Sequence, residues 1–148
     1  MAKAEVVWVA EQTYIGIDST GHSLVISKPG EGSVGVKPSD LLLVAVAACA
    51  NVDVVEIIKK RRATLHKLIV RVSGEQAPEP PWAFRTIHLH FEIEANNLDA
   101  PQAERAIDLA LNKYCSVRSS LSPDVAVSFE CTVRTPESAG ELPRIASD

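Results

Sequence analysis

The run Leu41-Leu42-Leu43-Val44-Ala45-Val46-Ala47-Ala48-Cys49-Ala50 carries no polar group beyond one thiol. It restricts how this chain can fold more than any other segment. A helix that is apolar on every side has to be covered on every side. The run is too long for a typical strand and too short for a bilayer span, which needs about 18 or more apolar residues. Pro38 suits the first turn of a helix, where its missing N–H has no partner to lose. Asp40 adds a negative charge at the same end. From Asn51 the pattern turns amphipathic, with Val54, Val55, Ile57 and Ile58 on one side and Asp53, Glu56, Lys59 and Lys60 elsewhere. One long helix is predicted, Pro38 to about Arg62. Its end falls in Lys59-Lys60-Arg61-Arg62, where cations complement the macrodipole. A chain of 148 residues offers little cover for the first half of such a helix, which points to a dimer.

Around this helix the chain reads as short strands. Val6–Glu11, Tyr14–Asp18 and Ser23–Ile26 are rich in Val, Ile, Tyr and Trp, and turn residues separate them. They predict an antiparallel meander. Leu65–Ser73 reads as a strand and the proline-rich Gln76–Trp82 as a loop. Thr86–Glu94 alternates, with Ile87, Leu89, Phe91 and Ile93 on one face and His88, His90, Glu92 and Glu94 on the other. That predicts a half-solvated antiparallel strand. Asp99 with Gln102 has the form of a capping box. It opens a second helix whose buried stripe is Ala103, Ile107, Ala110, Leu111 and Tyr114. Val125 to Val133 is the last strand. The order β-β-β-α-β-β-α-β predicts an α+β fold, as a single domain over residues 1–134 with a polar tail at 135–148.

A net charge of −4 argues against a nucleic-acid binder, which needs a basic surface for phosphates. The N-terminal stretch has no signal-peptide layout, and no membrane span is expected. A cytoplasmic location follows. In that reducing setting three cysteines without zinc spacing read as free or transiently oxidised thiols.

Two of those thiols are candidates for chemistry. Cys49 lies inside the apolar run, and Cys115 closes the second helical segment. If the fold brings them together, the chain has a two-thiol redox centre; if not, both are small core residues. Burial in mid-helix would raise the Cys49 pKa, so a reactive Cys49 calls for a cation supplied by the fold. Cys131 alternates with Val127, Phe129 and Val133 and reads as a core residue. His88 and His90 share a strand face with Glu92 but show no third strong metal ligand, so a solvated polar face is expected. The glycine loop Gly30-Glu31-Gly32-Ser33-Val34-Gly35 lacks the Lys-Ser/Thr ending of a phosphate loop.

Two segments carry a resemblance. One is Gly35-Val36-Lys37-Pro38-Ser39-Asp40-Leu41-Leu42-Leu43, running through Ala47-Ala48-Cys49 to Asp53-Val54-Val55. The other is Ala110-Leu111-Asn112-Lys113-Tyr114-Cys115-Ser116-Val117. Together they resemble the OsmC/Ohr family of osmotically inducible and organic-hydroperoxide-resistance proteins, in the form of its OsmC-like (YhfA-like) branch. The resemblance runs from about Ala4 to Arg134. It implies an intertwined homodimer with the long helices buried between subunits, and a thiol-dependent peroxidase acting on small organic hydroperoxides in oxidative or osmotic stress defence. Cys49 would match the peroxidatic cysteine and Cys115 the resolving one, with a lipoyl-type dithiol as reductant. The alternative is a non-catalytic dimer that binds a small apolar ligand or senses redox state. No cofactor or resident metal is implied. The family's peroxidases hold their cysteine as thiolate with an N-terminal arginine and a glutamate ahead of the cysteine helix. This chain has no arginine before Arg61, and Ser39 and Asp40 stand where the glutamate is expected. Lys37, Lys28, His22 and Arg118 are the candidates for a substitute charge.

Overall fold

The computed structural model describes residues 1–136. The expected tail therefore lies outside the described residues except for Thr135 and Pro136. The chain divides into two compact units, one from Met1 to Val44 and one from Ala45 onward. Helix α1 (Pro38–Lys60) begins in the first and continues in the second.

In the first unit, β1 (Glu5–Ala10), β2 (Thr13–Ile17) and β3 (Ser23–Ser27) form an antiparallel sheet in chain order. Val7 pairs with Ile15, and Ile15 with Val25, so β-branched side chains stand opposite each other across the ladder. The β2–β3 turn is closed by Asp18, whose carboxylate accepts from the N–H groups of Thr20 and His22. The glycine loop then folds back on β3, with Val36 bridging to Ile26. Gly35 N–H donates to Ser27 Oγ at 2.9 Å, and Ser27 Oγ in turn reaches Gly35 O at 3.2 Å. A Cβ on Gly35 would stand 2.6 Å from the carbonyl carbon of Ile26, so only glycine lets the loop approach this closely. These bonds give the loop a structural use.

In the second unit, β4 (Thr64–Gln76) pairs antiparallel with β5 (Phe84–Asn96), and β6 (Ala126–Arg134) pairs parallel with β5. The parallel pairing requires a crossover, which α2 (Ala100–Leu109), a π-helical turn (Ala110–Tyr114) and α3 (Ser116–Ser119) supply. The predicted capping box is present: Asp99 Oδ1 accepts from the Gln102 N–H at 2.8 Å, and Gln102 Oε1 accepts from the Asp99 N–H at 3.2 Å. The core joins Ile87, Leu89, Phe91 and Ile93 of β5 to Ala103, Ala106 and Ile107 of α2, all of them buried. Phe91 meets Phe129 of β6 edge-on, with ring centroids 6.4 Å apart.

The predicted α+β element order holds, with three refinements. The second helix leaves α geometry after Leu109, and α3 is a separate turn. The last strand is parallel to its neighbour. Within one chain α1 is not covered all round. Its buried residues are Val46, Ala47, Ala50, Val54 and Ile58, while Leu42, Val44 and Val52 are exposed. By length and composition alone α1 is apolar enough to cross a membrane, which the apolar run by itself does not reach. Asp53 and Glu56 interrupt it and one stripe of it is packed against protein, as in the core helix of a folded domain.

Candidate functional site

Cys49 and Cys115 come together in the second unit. At about 100° per residue, Cys49 falls at the margin between the buried stripe of α1 and the exposed face marked by Val44 and Val52. Its side chain is accordingly partly exposed. Cys115 is buried, at 1% exposure, and its position follows from the π turn. One extra residue in that turn sends the Cys115 N–H back to Ala110 O at 2.8 Å, and the chain becomes extended at Cys115 itself. Such turns recur at functional sites because they redirect a side chain without ending the helical path.

The sequence placed Cys115 near a helix C-terminus, where the dipole disfavours a thiolate. The structure also makes it the N-cap of α3: Cys115 Sγ accepts from the Arg118 N–H at 3.2 Å. Cys49 approaches the same turn from α1, with its Sγ 3.9 Å from Ser116 Oγ.

The two thiols are driven in opposite directions. Burial pushes Cys49 up, but the Val117 N–H, the Cys115 thiol and the hydroxyl and N–H of Ser116 outweigh it and hold Cys49 below the ordinary cysteine value. Burial also pushes Cys115 up, and the hydrogen bond and charge from Cys49 push it further; the Arg118 and Val117 N–H groups do not cancel them. Of the pair, Cys49 is therefore the thiol that loses its proton first, with Cys115 as the thiol that donates to it. The donors that lower Cys49 are neutral, contrary to the expectation that a cation is required. Of the candidate cations, Lys37 is paired with Asp40 and His22 bonds Thr20 within the first unit. Arg118 acts on Cys115 through its main chain, and its Nε is buried without a hydrogen-bond partner among the described residues.

The other singled-out residues lie apart from the pair in role. Cys131 is half-buried and pairs in register with Phe91; burial and then the nearby Glu104 carboxylate raise its pKa, so it is a poor nucleophile. His88 bonds Ser128 Oγ at 2.8 Å and His90 bonds Thr132 Oγ1 at 3.0 Å, and both rings face Glu130. Among the described residues no three His, Cys, Asp or Glu side chains are grouped to hold a metal ion. Sequence reasoning missed Ser116 and Val117. The available signal was only their place directly after Cys115 in the second motif.

The family model described as OsmC-like protein matches residues 30–130, which contain both cysteines. The chain belongs to the OsmC-like family. Protein YhfA of Escherichia coli (strain K12) is 32% identical to this OsmC-like chain over 131 residues, covering 88% of it and 97% of YhfA. A hydroperoxide reductase of Mycoplasma genitalium (strain ATCC 33530 / DSM 19775 / NCTC 10195 / G37) is 24% identical over 98 residues, covering 64% of this chain and 68% of the relative. Among solved structures, an OsmC-like protein from Mycoplasma pneumoniae superposes with a TM-score of 0.78 at 19% identity, covering 90% of this chain and 96% of that one. That likeness establishes the OsmC-like fold.

Proposed function

We propose that this OsmC-like protein is a thiol-dependent peroxidase that reduces small organic hydroperoxides through Cys49 and Cys115, in oxidative or osmotic stress defence in the cytoplasm. One observation carries the reading: the partly exposed Cys49 Sγ reaches the turn that holds the buried Cys115, 3.9 Å from Ser116 Oγ, where its surroundings draw Cys49 below the ordinary cysteine value and push Cys115 above it. A nucleophilic thiolate and a protonated partner are what the two half-reactions need. The Cys49 thiolate attacks the O–O bond and takes one oxygen. An alkoxide leaves and collects a proton to become the alcohol, and Cys49 becomes a sulfenic acid. Cys115 then displaces water from that sulfenic acid, and a Cys49–Cys115 disulfide forms. A lipoyl-type dithiol returns the pair to two thiols and is itself oxidised to a cyclic disulfide. The hydroperoxide reductase among the relatives and the family as a whole support the reaction class.

The working unit on this reading is a homodimer. Leu42, Val44 and Val52 are exposed on α1, apolar side chains that a second copy would cover; Val6 and Trp8 are exposed on β1 as well. The deciding experiment is intact-mass spectrometry after one equivalent of cumene hydroperoxide, with Cys49→Ser and Cys115→Ser alongside, followed by turnover with dihydrolipoamide. Loss of two hydrogens that requires both cysteines, with catalytic turnover, is the expected result. Disulfide formation without turnover would favour a redox sensor, and no mass change would exclude the redox pair.

A further inference from the structure

Helix α1 offers Cys49 no end of its own dipole, and the chain has no arginine before Arg61. The turn opposite supplies something else. Ser116 is exposed, and the hydrogen-bond partner of its hydroxyl is Cys49 Sγ at 3.9 Å. Its main chain is fixed on both sides. Ser116 O accepts from the Ser120 N–H at 3.0 Å and from Ser120 Oγ at 2.8 Å. One residue earlier, Cys115 O accepts from the Ser119 N–H at 3.0 Å while Cys115 Sγ takes the Arg118 N–H. Only the hydroxyl rotor of Ser116 is left to adjust. Either group can donate while Cys49 is a thiol; once it is a thiolate it has no proton to give, and Ser116 donates to sulfur.

We propose that Ser116 is the positioning residue of the reactive sulfur: its hydroxyl holds the Cys49 thiolate, and then the sulfenic acid, so that uncharged donors do the work of a cation. The inference rests on the peroxidase reading for the second of those states but not for the first. The 3.9 Å distance is long, and hydrogen bonds that act in a reaction are often long in the free protein. The N–H groups of Ser116 and Val117 lower Cys49 in the same sense. The hydroxyl is the part of this set that a substitution can remove without touching the backbone. Asp53, one turn along α1, and Arg118, two residues along the turn, are the nearest charged groups in sequence, and neither is among the groups that act most strongly on Cys49.

The test follows alkylation of Cys49 by iodoacetamide, a neutral reagent that needs no peroxide, with each cysteine resolved by peptide mass spectrometry. In Ser116→Ala the Cys49 rate at neutral pH should fall about threefold to tenfold, the order expected when one ordinary hydrogen bond is lost. The midpoint of its pH profile should move up, and Ser116→Thr should restore both. A purely structural loss would instead expose Cys115 and speed its alkylation. In the wild type, the Cys49 rate should be the same at low and high salt, because neutral donors are not screened as a paired cation is. An unchanged profile in Ser116→Ala, or a threonine variant as slow as alanine, overturns the proposal. So does a Cys49 rate that falls with salt in the wild type, an arm that can overturn the proposal even if the alanine variant does not fold. Loss of peroxide turnover with intact Cys49 alkylation would count against the peroxidase reading and leave the role of Ser116 standing.

Discussion

The Arg118 N–H donates to Cys115 Sγ at 3.2 Å, which makes a buried sulfur the N-cap acceptor of α3. The cap satisfies a main-chain donor and fixes where the sulfur points. Cys115→Ser keeps an acceptor in the same place, whereas Cys115→Ala leaves the N–H without one. Alanine should cost about 1 kcal/mol more than serine, the usual weight of a helix cap. Urea unfolding of the two variants measures the difference, and equal losses would show that the sulfur does not cap.

The opposed thiols set a pH order of reactivity. Cys49 should be alkylated with a midpoint below the ordinary cysteine value of 9.0, and Cys115 with a midpoint above it. Rates followed by peptide mass spectrometry between neutral and alkaline pH check both. The reverse order would mean that the proton sits on Cys49, and the assignment of nucleophile and partner would exchange.

The same shifts act on stability. The folded pKa of Cys115 is raised, so above the unfolded value the unfolded chain has lost a proton that the folded chain still holds. Stability at this group is complete below the unfolded pKa and declines as pH rises from there through the folded pKa. For Cys49 the sign is opposite: its folded pKa is lowered, and its contribution is present above the unfolded value and lost as pH falls through the folded one. Cys115→Ser removes the first group, so its unfolding free energy should fall less steeply than that of the wild type above pH 9.0. Parallel slopes would show that Cys115 ionises equally in both states.

Much of the fold was legible because its signals are local. Pro38 and Asp40 mark where α1 starts, Asp99 and Gln102 form their capping box, and the alternation from Ile87 to Ile93 gives the buried face of β5. The two cysteines were legible through residue type and motif. What holds their charge was not. The Ser116 and Val117 donors face Cys49 across 67 positions of chain, and a main-chain N–H has no signature in a one-letter code. The π turn was hidden for a related reason: Ala110, Leu111 and Tyr114 continue the helical apolar period, and only the bond from Cys115 N–H to Ala110 O separates the two geometries. The parallel direction of β6 depends on how the crossover through α2 and α3 returns the chain to β5, which no local pattern encodes.

Gly35 tests the close approach in the first unit. A methyl group there would sit 2.6 Å from the Ile26 carbonyl carbon and 2.7 Å from Ser27 N. Both atoms are backbone, so the loop has to move and the Ser27–Gly35 bonds weaken. Gly35→Ala should destabilise by roughly 1–3 kcal/mol, the range for forcing extra volume into a packed site. Gly30→Ala, with open space around its Cβ, should be close to neutral. Thermal melts of the pair decide it, and equal effects would show that the Gly35 contact carries no weight.

The exposed side of α1 is where the proposed homodimer is most open to test. Val52 is 66% exposed and Val44 53% exposed, one on each side of Cys49 along the helix and about 80° apart around it. Their apolar surface gains nothing from water, and burying a valine side chain fully is worth about 1.5–3 kcal/mol. A second copy packed on this face would gain that at each site, while an aspartate there would have to enter the interface unpaired at a much larger cost. Val52→Asp should therefore convert a dimer into a monomer by light scattering at micromolar concentration. Glu56→Gln, on the same helix, should leave the dimer intact. A Val52→Asp protein that remains dimeric would place the interface elsewhere, and a wild type that is monomeric would remove the homodimer altogether.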